Sequence, residues 1–166
     1  APSCSGSLDL RLGDCMEGMK TFPDGNFDLA IVDPPYGIGW DGENNTMSAG
    51  MRKDGTQRKM ATWNNPKPKG YTKKSWDAET PPPEYFEELR RVSKRQIIWG
   101  GNYFTENLPP SGGWVTWEKG VPDGMSLSQC ELAWTNCLNS VRHVRLLWAG
   151  YKKCEEAERM HPTQKP

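Results

Sequence analysis

The chain has 166 residues, enough for one domain, and its 21 basic and 21 acidic side chains leave a net charge of zero, so no global field draws in nucleic acid. An apolar content of 35% and a mean hydropathy of −0.81 are low for a self-sufficient α/β core, which implies a long exposed segment, a missing piece of chain, or both. No apolar run reaches the roughly 18 residues of a membrane span, no signal peptide is legible, and Cys4, Cys15, Cys130, Cys137 and Cys154 form no Cys-x-x-Cys pair, so the reading is a cytoplasmic protein with reduced thiols and no metal.

Residues 1–7 are small and polar and read as a loose end. Leu8 to Leu12 alternates apolar and polar, the pattern of a strand, and Gly13-Asp14 ends it. Cys15 to Lys20 is expected as a short helix that Asp14 caps. Phe22 to Asn26 carries turn chemistry. Leu29 to Val32 is then a short apolar run with two β-branched residues, the pattern of a buried central strand in a parallel sheet.

Pro34 and Pro35 remove two backbone donors in a row, so that strand must stop at Asp33. Pro35 also biases Pro34 toward an extended conformation and leaves the Pro34 carbonyl unpaired. Asp33 thus falls at the carboxyl end of a strand, where open α/β sheets place ligands. The Asp33 carboxylate, the Pro34 carbonyl and the Tyr36 ring form a rigid acceptor pair beside an aromatic face. That combination suits a flat ring bearing an amine.

Residues 41–77 have no apolar periodicity. Eight basic side chains fall here, Arg52, Lys53, Arg58, Lys59, Lys67, Lys69, Lys73 and Lys74, against four acidic ones, with Trp40, Trp63, Tyr71 and Trp76 interleaved or flanking. A loop this long inside a domain is usually functional or disordered. Its basic and aromatic content suits DNA phosphates and unstacked bases.

Beyond Pro81-Pro82-Pro83 a helix is expected over Glu84 to Ser93, with Tyr85, Leu89 and Val92 on one face and a Glu87–Arg91 pair on the other. Gln96 to Trp99 reads as a buried strand, then Gly100-Gly101-Asn102 and a short helix near Tyr103 to Asn107. Gly113 to Glu118 is a further strand, and Glu118 to Gly124 a turn or substrate-side loop. Cys130 to Thr135 and Val141 to Trp148 are the last two strands, expected antiparallel to each other. The eight tryptophans are expected in the core and groove walls.

Asp33-Pro34-Pro35-Tyr36-Gly37 resembles the catalytic motif of amino-group DNA methyltransferases that modify adenine N6. His161-Pro162-Thr163-Gln164-Lys165-Pro166 resembles the second hallmark of a permuted subgroup, in which the cofactor half follows the catalytic half. Gln96 to Phe104 and Cys130 to Trp134 are similar to phage and prophage adenine methylases of that subgroup. The resemblance covers nearly the whole chain from Leu8 onward.

The resemblance implies a Rossmann-like class I methyltransferase sheet, S-adenosylmethionine as methyl donor and double-stranded DNA as partner. It makes Asp33, Pro34, Pro35 and Tyr36 catalytic, and Asp14, Asp33, His161, Thr163 and Lys165 cofactor contacts. In that family a strand and a glycine-rich turn follow the Pro-rich motif, and no equivalent is legible here. The expected sheet is therefore incomplete, a catalytic half whose cofactor half lies in missing chain, a second chain or a homodimer. Cytosine-N4 methylation, RNA methylation and a non-catalytic DNA-binding remnant are the alternatives.

Overall fold

The computed structural model describes residues 7–39, 77–121, 128–149 and 152–153. Helix α1 (Cys15–Lys20) forms because Asp14 caps it: the carboxylate accepts from the Met16 amide at 2.7 Å and the Glu17 amide at 3.4 Å. Helix α2 spans Pro83–Val92 and starts one residue ahead of the expected Glu84. Proline fits there because the first helical amide has no intrahelical acceptor to lose. Tyr85, Phe86, Leu89 and Val92 are its buried side chains.

Arg91 does not take the expected Glu87. Its guanidinium reaches Glu88 and Asp24 at 2.8 Å each and donates to the Phe22 and Met19 carbonyls. The reason is competition: the end of α1 and the following turn offer three acceptors, and Glu88 on the same helix a fourth, to one planar donor fork. Arg91 thereby ties α1 to α2.

Among the described residues five strands form one open sheet in the order β1-β2-β4-β3-β5: Ala30–Val32, Gln96–Trp99, Cys130–Thr135, Trp114–Glu118 and Arg142–Arg145, respectively. β1, β2, β3 and β5 run the same way, and β4 is antiparallel between β2 and β3. This is an α/β architecture with a mixed sheet, compatible with a Rossmann-like fold. Register aligns Val32, Ile98, Trp134 and Trp114 in one row across four strands. That row meets Phe86 and Leu89 of α2, together with Phe104 and Leu108, to make the core. A separate two-stranded piece pairs β6 (Trp148–Ala149) with β7 (Lys152–Lys153).

Three expectations about strands are corrected. Leu8 to Leu12 is not a strand, and Leu8, Leu10 and Leu12 are exposed. Alternation favours a strand only where a sheet edge accepts the backbone, and no such pairing forms here. Among the described residues β1 is neither central nor buried: it pairs there with β2 alone, and Ile31 is 62% exposed. An apolar run of three or four residues fits a half-covered edge as well as a sheet centre. Val141 to Trp148 divides into β5 and β6, and β5 pairs with β3. β4 and β5 do run in opposite directions, with β3 between them.

The helix expected near Tyr103 to Asn107 is instead a single 3₁₀ turn, Gly101–Tyr103. Pro109-Pro110 lies too close for an α-helix to gain length. Among the described residues no helix is long and apolar enough to cross a membrane, and no group of three His, Cys, Asp or Glu side chains is placed to hold a metal ion.

Candidate active site

β1 and β2 are parallel neighbours, so the segments leaving their carboxyl ends lie side by side. From β1 comes Asp33-Pro34-Pro35-Tyr36-Gly37, and from β2 comes Gly100-Gly101-Asn102-Tyr103. Asp33 is exposed, Pro34 is buried, and Pro35 and Tyr36 are half-buried. The four residues assigned to catalysis from sequence are therefore together, with a carboxylate outermost.

The Tyr36 hydroxyl donates to the Asp33 carboxylate at 2.6 Å, which fixes the orientation of that acid. Burial, and then this hydrogen bond, hold the Tyr36 phenol well above its ordinary pKa, so it stays a donor. The Tyr36 ring stacks on Tyr103, with centroids 4.9 Å apart and planes 12° from parallel. Phe104 lies tilted beside it at 6.1 Å, connecting the site to the core.

The loop holds its shape through Asp77. One oxygen of this carboxylate accepts the Tyr36 amide at 2.7 Å and the Gly37 amide at 3.1 Å. The Asp77 carbonyl accepts the Gly39 amide at 2.8 Å. After two prolines the chain has donors again only from Tyr36 on, and Asp77 takes the first two. Gly37 has φ +69°, and a side chain there would press on the Thr80 backbone at 3.0 Å.

On the other strand, Gly100 has φ +70°, and a Cβ would stand 2.1 Å from Cε1 of Tyr36. The Gly100 amide donates to the Leu132 carbonyl at 2.8 Å, so the glycine is held against β4 while the tyrosine rests on it. Gly101 is equally confined, with Cβ of Trp134 at 2.7 Å from where its own would be. Glycine is required at both positions by close approach. At the same end of the sheet, Lys119 and Glu131 form a largely buried ion pair at 3.2 Å. The Glu131 charge also reaches Tyr36.

Asp14, expected as a cofactor contact, is the cap of α1 in the structure. His161, Thr163 and Lys165 lie outside the described residues, as do Arg52, Lys53, Arg58, Lys59, Lys67, Lys69, Lys73 and Lys74. Sequence reading missed Asp77, Tyr103, Lys119 and Glu131 as parts of this neighbourhood. The double glycine directly after a buried strand was the one local signal, since it marks backbone that something approaches closely. No protein-family model matches the chain, and no curated protein matches it.

Proposed function

We propose that this chain is a DNA adenine-N6 methyltransferase, or its catalytic half, acting on a flipped-out adenine with S-adenosylmethionine as donor. The observation that carries the reading is the exposed Asp33 carboxylate, oriented by Tyr36 and followed by a buried proline, at the mouth of two parallel strands.

A duplex hides the adenine amine, so the base must leave the stack, at a cost of a few kcal/mol. Tyr36 offers the ring face, and Asp33 with the Pro34 carbonyl accepts the two N6 protons. Those hydrogen bonds draw the nitrogen toward tetrahedral geometry, so that its lone pair points away from the acceptors and out of the ring plane. Rate enhancement then comes from position and charge. S-adenosylmethionine supplies an electrophilic methyl group on a sulfonium. The exposed Asp33 carboxylate suits a cationic donor, and it would take up the proton released from nitrogen while the methyl–sulfur bond breaks and a neutral thioether leaves. His161, Thr163 and Lys165, with Asp14, are the further residues proposed to hold the donor, and the eight basic residues of 41–77 are proposed to hold DNA phosphates.

Asp33→Ala is the test. The side chain is exposed, so the variant keeps its fold by circular dichroism. Transfer of labelled methyl from S-adenosylmethionine to unmethylated DNA is expected to vanish. Methylation at the wild-type rate in that variant would refute the assignment, and the position of the label on the recovered base separates adenine N6 from cytosine N4.

A further inference from the structure

We propose that Tyr103 is an aromatic stand-in: its ring covers the face of Tyr36 on which the amine-bearing heterocycle stacks, and it rotates out to admit that heterocycle. This rests on the reading of Asp33 and Tyr36 as the amine-binding site. It adds a residue that neither the motif nor the chemistry of that reading specifies.

The two rings are nearly parallel with centroids 4.9 Å apart, so Tyr103 stacks on one face of Tyr36. The Asp33 carboxylate lies within 2.6 Å of the Tyr36 hydroxyl, at the rim of the same stack. A flat ligand whose amine reaches Asp33 and whose ring lies on that same face of Tyr36 must take the layer that Tyr103 now fills.

The backbone of Tyr103 has little freedom to move aside. Its amide donates to the Gly100 carbonyl at 2.8 Å, and Gly100 and Gly101 are confined by Tyr36 and Trp134. The next residue, Phe104, is 1% exposed and sits in the core against Phe86 at 5.2 Å. Tyr103 itself is 47% exposed. A fixed Cα with a half-solvated ring leaves rotation about the side-chain bonds as the route out, and tyrosine has only two such angles to reset.

Exchange is close to balanced in stacking, because one aromatic pair replaces another. The hydrogen bonds to Asp33 then favour the ligand over the stand-in. Heterocycles without an amine gain no such advantage, so Tyr103 also acts as a filter: it is displaced by rings that can occupy the acceptors.

The test uses the full chain and adenosine as probe, titrated calorimetrically or by saturation-transfer NMR. Purine riboside, which lacks the amine, is the control. Tyr103→Ala removes the competitor, and adenosine is expected to bind about two- to tenfold tighter, the range set by one aromatic pair. Tyr103→Phe keeps the ring and is expected to bind as wild type. Weaker or unchanged adenosine binding in Tyr103→Ala would overturn the stand-in role, since it makes Tyr103 a wall of the site or a bystander. If wild type and Tyr103→Ala both bind adenosine no better than purine riboside, and Asp33→Asn changes neither, the amine-binding reading itself falls and takes this inference with it.

Discussion

The Tyr36 and Gly37 amides both donate to one oxygen of Asp77, a side chain only 3% exposed and about forty residues away in the chain. A buried carboxylate is tolerated where charge-assisted hydrogen bonds satisfy it, and here it pins the residues that follow Pro35. Asp77→Ala leaves two amides without their acceptor and is expected to cost about 3 kcal/mol in urea unfolding. Asp77→Asn retains an acceptor oxygen and is expected to lose markedly less. Equal losses in the two variants would show that the charge, and not the accepting oxygen, holds the loop. Gly37 and Gly100 belong to the same scale: each has a left-handed backbone and a neighbour where a side chain would go.

Elements place the site through one parallel pair. β1 and β2 share direction, so the Asp33 loop and the Gly100 turn leave at the same edge, and the rings of Tyr36 and Tyr103 meet there. β1 is short and, among the described residues, paired on one side, and its position depends on what packs beneath it. Ala30 and Val32 face the core, and α2 covers that face with Phe86 and Leu89. Arg91 extends the same support to α1 through Glu88, Asp24 and two backbone carbonyls. Arg91→Met is expected to lower the unfolding midpoint and to speed amide exchange in Cys15–Lys20 first, while β2 keeps its protection. Uniform loss of protection in α1 and β2 together would show that α1 has no separate opening reaction.

At the scale of the whole molecule, four titrating groups give stability a defined pH dependence. Hydrogen bonds from Lys94 and Arg91 hold Asp28 and Glu88, respectively, below their ordinary values of 3.8 and 4.5. Their contribution is fully present above those values and is lost as pH falls through the lowered ones. Burial pushes the Tyr85 phenol up to about 12 and Tyr36 higher still, from an ordinary value of 10.0. Their contribution is present below pH 10 and is lost as pH rises through the raised values. Urea midpoints across a pH series are expected to fall on both limbs. Glu88→Gln should flatten part of the acid limb and Tyr85→Phe part of the alkaline one, and variants that leave their limb unchanged would remove these groups from the account.

The sequence by itself determined the elements that local chemistry decides. Gln96 to Trp99 is a strand, Cys15 to Lys20 a helix behind an Asp14 cap, and the double proline stops β1 before Asp33. Each follows from neighbours within a few residues: a cap, a missing amide, an apolar run between turns. Tertiary structure decided everything that needed a partner far along the chain. The Leu8 to Leu12 alternation found no sheet edge, β1 became an edge strand, and Arg91 chose Glu88 and Asp24 over Glu87. Asp77 and Tyr103 entered the neighbourhood of Asp33 the same way, since the row β1-β2-β4 and the fold of two loops brought them there. Local patterns state what a segment can become; which long-range acceptor, edge or ring it meets is fixed only when the whole sheet closes over one core.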